Sequence, residues 1–314
     1  MKPSKPPVIF LLGPTASGKT DWAIAWQKLF KRIEIISVDS VMVYQGCDIG
    51  SAKPTKAILA KHPHYLVDET ELDQIFSVAD FCRSAHQLIK DIHSRNNIPL
   101  LVGGSMMYFN VLKKGMSALP SADSNFRAEL EIRIQDEGIT SLHNELCTLD
   151  QEIASSIKPQ DTQRIIRALE IIHLSSAATQ SNKNELTSAP LADKYTLHQY
   201  GIFPMERAHL HNRIENRQHE LIAGGLLEEV QELTKKYDLS SDHPAMKAVN
   251  YRQALMVING ELSEDDLFEK SLYATRQLAK RQCTWIRGWE NLQTYDVDEF
   301  DQATKQLKKQ LNFA

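Results

Sequence analysis

The segment Gly13-Pro-Thr-Ala-Ser-Gly-Lys-Thr20 constrains this chain more than any other. It matches G-x-x-x-x-G-K-[ST], it follows the apolar run Val8–Leu12, and it leads into a helical pattern with Trp22, Trp26, Leu29 and Phe30 on one face. The two glycines let the backbone curl until several N–H groups converge on phosphate oxygens. Lys19 adds a cation, Thr20 a hydroxyl suited to Mg²⁺, and the helix start a partial positive charge. A diphosphate or triphosphate site is predicted at Gly13, Pro14, Thr15, Ala16, Ser17, Gly18, Lys19 and Thr20. The loop does not specify which phosphate compound it takes.

The first third of the chain supports an α/β class. Ile33–Val38 and Ile98–Val102 read as further buried strands, and Val78–Ile92 as a helix whose apolar face is Phe81, Ala85, Leu88, Ile89 and Ile92. Repeated strand–helix–strand units imply a parallel sheet flanked by helices, with ligands at the carboxyl ends of the strands. From about Leu119 the pattern turns helical, and Ser175–Asp193 reads as a loop or helix–helix connection. Tyr195–Phe203 alternates like a strand returning to the first sheet. The expected organisation is a P-loop NTPase-like core from residues 1–119 and 195–314, interrupted by an all-helical insertion at 120–194. Ser263-Glu-Asp-Asp266 fits a capping signature that opens a long helix.

Two more strand ends carry chemistry. Asp39 follows Ile35-Ile-Ser-Val38 and is placed to act as a metal ligand, as a general base or as a cap of the turn it starts. Asp68, after His64-Tyr-Leu-Val67, is a weaker acid of the same kind. Leu101-Val-Gly-Gly-Ser105 offers two glycines for close backbone approach and then a hydroxyl. Lys19, Asp39 and Ser105 along one sheet edge form a coherent candidate site. Met106, Met107, Tyr108 and Tyr44 beside it read as ordinary core, with a pocket for an apolar group as the sharper alternative.

Composition sets the remaining bounds. With 42% hydrophobic and 24% charged residues the chain resembles an average soluble protein, which excludes a disordered tail, a collagen-like repeat and a small disulfide scaffold. No apolar run reaches the roughly 18–20 residues that cross a bilayer, so no membrane partner is expected. Cys47, Cys82, Cys147 and Cys283 form no C-x-x-C pair, which predicts a reduced, cytoplasmic setting. His62, His64, His209, His211 and His219 make no metal-ligand signature. A net charge of −4 speaks against a general nucleic-acid binder. Local charge says otherwise: Thr275–Trp289 carries Arg276, Lys280, Arg281 and Arg287 and no acid. Positions 276, 280 and 287 form a stripe opposite an apolar set at 272, 279, 283 and 286.

These segments together resemble the bacterial tRNA dimethylallyltransferases, the IPP transferase family. The resemblance runs from residue 8 to about 290 in one order, through Ser37-Val-Asp-Ser40, Tyr44-Gln-Gly-Cys-Asp-Ile-Gly-Ser-Ala-Lys-Pro54 and Leu101-Val-Gly-Gly-Ser-Met-Met-Tyr108. It continues through Asp161-Thr-Gln-Arg164, Arg167-Ala-Leu-Glu170, Pro244–Gln253 and Thr275–Trp285. It implies that the loop cradles the diphosphate of dimethylallyl diphosphate, with Mg²⁺ as cofactor. The dimethylallyl group then goes to N6 of adenosine 37 of tRNA, beside the anticodon. Asp39 suits the general base, and Lys19 and Ser105 join it at the reacting centre. Arg213 and Arg217, four apart on a predicted helix, supply at least one diphosphate contact, unless both pair with Glu215 or Glu220.

The same resemblance assigns tRNA contacts to Asp39, Ser40, Val41, Met42, Ser105, Arg127, Gln163, Arg164, Ile165, Ile166 and Arg167. It extends them to Lys247, Ala248, Val249, Asn250, Tyr251 and Arg252, and to Arg276, Lys280, Arg281, Gln282, Cys283, Thr284, Trp285, Ile286 and Arg287. Ser105 stands where the family usually has threonine, Asn250 where it has glycine, and Lys247 where arginine is common. The target base must leave its stack to be reached. No protein partner is implied, and a monomer is expected. The rival readings are an adenylate isopentenyltransferase, a P-loop kinase for a small metabolite, and a tRNA-binding protein whose loop merely holds a nucleotide.

Overall fold

The computed structural model describes residues 5–117, 123–177, 186–204 and 206–311. Most of the turn-rich junction at 119–123 and the middle of the Ser175–Asp193 connection lie outside them. Two compact units divide the chain, one of Met1–Gly115 with Ala189–Ala314 and one of Met116–Ser188.

In the first unit the chain runs β1 (Pro7–Leu12), α1 (Lys19–Leu29), β2 (Ile33–Val38), α2 (Lys56–Lys61), β3 (His64–Tyr65), α3 (Val78–Ser94), β4 (Ile98–Gly103) and α4 (Met106–Lys114). The second unit follows, with β5 (Met116–Ser117), α5 (Ser124–Glu137), α6 (Ile139–Leu149), α7 (Gln151–Ser156), α8 (Thr162–Ala177) and β6 (Leu186–Ser188). The first unit resumes with α9 (Leu191–Lys194), β7 (Thr196–Ile202), α10 (Arg207–Ala223), α11 (Leu226–Lys236), α12 (Tyr251–Ile258), α13 (Leu267–Arg287), β8 (Gln293–Tyr295) and α14 (Phe300–Leu311).

Six strands form one sheet in the order β3-β2-β4-β1-β7-β8, every pair parallel. β1 shows why its run is continuously apolar. Val8, Phe10 and Leu12 pack on one face with Phe81, Ala85, Ile89 and Phe109 of α3 and α4. Ile9 and Leu11 pack on the other with Trp22, Ala23 and Trp26 of α1 and with Ala303 and Leu307 of α14. Side chains alternate across a strand, so a strand covered on both faces must be apolar throughout. α3 starts at a capping box in which Ser77 and Asp80 exchange side-chain to backbone hydrogen bonds. The signature at Ser263 lies one turn before α13: the Ser263 hydroxyl donates to Asp266 and accepts from its N–H.

The second unit packs Leu130, Leu142, Leu146, Ala154, Ile165 and Leu169 into its own small core. Beside the expected helices it holds a short antiparallel ribbon of β5 and β6, which helical periodicity did not announce. Among the described residues no helix is long and apolar enough to cross a membrane.

Candidate functional site

The site begins with strand register. Gly103 of β4 pairs with Leu12 of β1 on one side and with Val38 of β2 on the other. Gly13, Asp39 and Gly104 therefore leave the sheet at one level. Only glycine fits at 103, because a Cβ there would run into the Val38 carbonyl oxygen.

The N–H groups of the phosphate loop divide into two sets. Those of Gly13, Thr15 and Ser17 hold the loop's shape, donating to the Gly103 carbonyl (3.4 Å), the Gln282 Oε1 (2.8 Å) and the Pro14 carbonyl (3.2 Å). Those of Ala16, Gly18, Lys19 and Thr20 have no partner among the described residues. Ala16 and Gly18 both have left-handed backbone, with φ of 60° and 90°. Such alternation turns consecutive N–H groups into a concave, anion-binding nest at the start of α1. The Ser17 hydroxyl is buried and has no partner among the described residues. Buried polar groups are normally satisfied, and an unpaired hydroxyl within this loop can take a ligand oxygen.

Three cations surround the nest. The Lys19 ammonium donates to the Pro14 carbonyl at 3.1 Å. Burial first and then the Arg217 charge bring its pKa down to about 8, with Asp39 partly offsetting both. Arg213 Nε donates to the Ala16 carbonyl at 2.8 Å, and its guanidinium lies against Gly18. Burial likewise lowers the Arg217 pKa. Arg213 thus touches the loop directly, and Arg217 lies near enough to Lys19 to act on it as a like charge. Glu215, weighed above as their partner, is taken at 2.7 Å by Arg276 of α13.

Asp39 fills one of its possible roles, the turn cap, and keeps one oxygen open. Its Oδ1 accepts from the N–H groups of Val41 (2.9 Å) and Met42 (3.2 Å), a turn cap, while Oδ2 has no partner among the described residues. Ser105 sits beside it, its N–H on the Val38 carbonyl at 3.3 Å and its hydroxyl not used to cap α4. Asp68 belongs elsewhere: it pairs at 2.5 Å with the buried Lys53, whose ammonium also reaches Asp48 and the Tyr44 carbonyl. Sequence reasoning missed Glu229 of α11, whose carboxylate accepts from the N–H groups of Asp48, Ile49 and Gly50 and from the Tyr251 hydroxyl. It pins the Asp48–Ser51 loop.

Among the described residues no cluster of three or more His, Cys, Asp or Glu side chains is placed to hold a metal ion. The donors present suit Mg²⁺ in the manner of phosphate sites, where one or two protein oxygens and the phosphates share the ion with water. Thr20 is such a donor, and the unpaired Ser17 hydroxyl in the same loop suits an oxygen-rich guest.

The side chains expected to meet RNA divide by burial. Ser40, Gln163, Arg164, Lys247, Arg252, Lys280, Arg281, Thr284, Trp285 and Arg287 are exposed, and Met42, Ile166, Ala248 and Val249 are half-buried. Arg164 pairs with Asp161 and Lys247 with Asp242. Arg127 and Arg167 both bind the fully buried Glu170 within the second unit, Arg127 through two hydrogen bonds of 2.7 and 2.9 Å. Val41, Ile165, Tyr251, Gln282, Cys283 and Ile286, also expected to meet RNA, are buried. A contact segment on a helix offers only its outward face. Asn250 is also buried, with φ of 76°, and donates through Nδ2 to the Gly50 carbonyl at 2.9 Å. The left-handed backbone explains why glycine is usual at this place.

A family model described as IPP transferase matches residues 42–289. The tRNA isopentenylpyrophosphate transferase of Bacillus halodurans is 32% identical over 98% of this chain and 96% of its own, with a TM-score of 0.70. The tRNA delta(2)-isopentenylpyrophosphate transferase of Staphylococcus epidermidis is 32% identical over 97% of this chain and 100% of its own, with a TM-score of 0.67. A eukaryotic dimethylallyltransferase acting on tRNA shares the fold, with a TM-score of 0.71 at 22% identity over 96% of this chain and 78% of its own. On the family match and these two bacterial relatives, the chain belongs to the IPP transferase family.

Proposed function

We propose that this protein transfers a dimethylallyl group from dimethylallyl diphosphate to N6 of adenosine 37 in tRNA, releasing diphosphate. The observation that carries the reading is the shared level of three strand ends, which sets a phosphate nest, a carboxylate with a free oxygen and a hydroxyl side by side. Membership of the family supports the reaction class.

In this reading the free N–H groups of Ala16, Gly18, Lys19 and Thr20 hold the diphosphate, with Lys19, Arg213 and Arg217 around it. The C1–O bond of the allylic diphosphate breaks and its electron pair stays on diphosphate, where these donors stabilise the growing charge. N6 of the adenine forms the new bond to C1. Asp39 accepts the N6 proton through its unpaired oxygen, since an aromatic amine is a poor nucleophile while it holds that proton. Ser105, at the neighbouring strand end, positions the base. Mg²⁺, held by Thr20 and the phosphates, would neutralise part of the leaving-group charge.

The test is incubation with labelled dimethylallyl diphosphate and either unmodified tRNA or AMP. Label should appear in the tRNA. Transfer to AMP alone would favour a free-nucleotide prenyltransferase, and transfer to neither acceptor would overturn the reading.

A further inference from the structure

Gln282 of α13 lies in the run of exposed basic residues, yet its side chain is only 7% exposed and turns into the site. Its Oε1 accepts the Thr15 N–H at 2.8 Å and its Nε2 donates to the Gly104 carbonyl at 2.9 Å. One amide thus bridges the phosphate loop after β1 and the glycine turn after β4. Thr15 is separated from Gln282 by 267 residues of sequence, and among the described residues its N–H has no other partner. The turn is shaped for this contact: a Cβ on Gly104 would come within 2.5 Å of Nε2. A primary amide can donate and accept at once, from two atoms on one planar group.

We propose that Gln282 is a positioning residue for the transfer reaction. It fixes the gap between the phosphate nest and Ser105, and it does so from the same helix that presents Lys280, Arg281 and Arg287 outward. The inference rests on the proposed function for its chemical meaning and on the two hydrogen bonds for its geometry. Gln282 touches neither substrate in this account. It acts through Thr15 and Gly104, so its loss loosens the diphosphate and misplaces the carbon it carries. Misplacement of a reacting group by a fraction of an ångström is costly to rate, because orientation supplies much of an enzyme's advantage.

The first measurement needs no reaction. In the ligand-free protein the Thr15 amide should be protected from hydrogen exchange, and Gln282→Met should release it at unchanged global stability. Equal exchange in both proteins overturns the clamp whatever the enzyme does. Gln282→Glu keeps an acceptor for Thr15 and loses the donor to Gly104, so it should retain the protection. The second set reads function, through inorganic pyrophosphate with Mg²⁺ by calorimetry, unmodified tRNA by filter binding, and single-turnover rate. Gln282→Met should lose about tenfold in pyrophosphate affinity and ~10–100-fold in rate, with tRNA affinity within about twofold of wild type. Gly104→Ala should produce the same pattern, and the double variant should be no worse than the worse single one, because both undo the same bridge. Weaker tRNA binding with intact pyrophosphate binding, or additive losses, would overturn the proposal. A wild-type protein that transfers no label would sink the proposed function and leave the exchange result to decide the clamp.

Discussion

The Lys19 ammonium rests on the Pro14 carbonyl, 3.1 Å away, with Arg217 as a like-charged neighbour. Burial and that neighbour bring its pKa from 10.5 to about 8 in the ligand-free protein. A cation held this way is costly to the fold and waits for an anion. Between about pH 8 and 10.5 the unfolded chain binds the extra proton, so stability rises with pH across that window. Lys19→Met should raise Tm at pH 7 by a few degrees, flatten this rise and abolish pyrophosphate binding. Calorimetric melting against pH checks it, and a variant less stable than wild type at pH 7 would refute the account. Above pH 8 pyrophosphate binding to wild type should take up a proton, read as a dependence of binding heat on buffer ionisation enthalpy.

Asp39→Asn is the substitution that separates chemistry from architecture. An asparagine Oδ1 can still accept from Val41 and Met42, which hold this turn at 2.9 and 3.2 Å, whereas alanine removes turn and base together. Turnover should fall ~10²–10⁴-fold, with Tm and tRNA affinity unchanged. Turnover near wild type would mean that another group takes the N6 proton.

In the second unit, burial favours the neutral form of Glu170, but hydrogen bonds from Arg127, Arg167 and the Asp123 N–H overcome this and hold its pKa at about 2. A depressed carboxylate pKa contributes stability above the unfolded value of 4.5, and the contribution is lost as pH falls toward about 2. Its size is about 3 kcal/mol. Glu170→Gln should lower stability at neutral pH and erase the acid-sensitive limb between these values in urea titrations. An unaltered limb would assign acid sensitivity to other carboxylates.

The basic residues of α13 should not contribute alike to RNA binding. Arg281 is exposed and without an acid partner among the described residues, whereas Arg276 is neutralised by Glu215 at 2.7 Å. Arg281→Ala should reduce the slope of log affinity against log salt by about 1. Arg276→Ala should change it less in the wild-type background, and by about one unit once Glu215→Gln has removed its partner. Equal slopes for both single variants would remove the distinction.

Sequence made the long buried strands legible because a strand covered on both faces has to be apolar, as in Val8–Leu12. The edge strands His64–Tyr65 and Gln293–Tyr295 are too short to carry a pattern. The loop and the three strand-end residues were readable because each sits where a strand stops. What could not be read were pairings made by folding alone. Glu229 reaches loop N–H groups about 180 residues earlier in the chain, and nothing local in α11 announces it. Gln282 lay inside a recognised motif, but the helical phase of α13 turns it inward while Arg281 beside it turns outward. A motif gives identity of residues; the helix phase decides which of them can meet a partner.

The common level of Leu12, Val38 and Gly103 also acts as a ruler. Asp39 leaves β2 and Gly13 leaves β1, with β4 between them. Two strand spacings, about 10 Å, therefore separate the root of the proton acceptor from the root of the leaving-group cradle. That span is set by backbone hydrogen bonding rather than by any side chain, and in the proposed reaction an amine nitrogen, an allylic carbon and a diphosphate oxygen must line up within it. Substitutions in the pocket can change which groups grip the substrates, but the length over which the bond is exchanged belongs to the sheet.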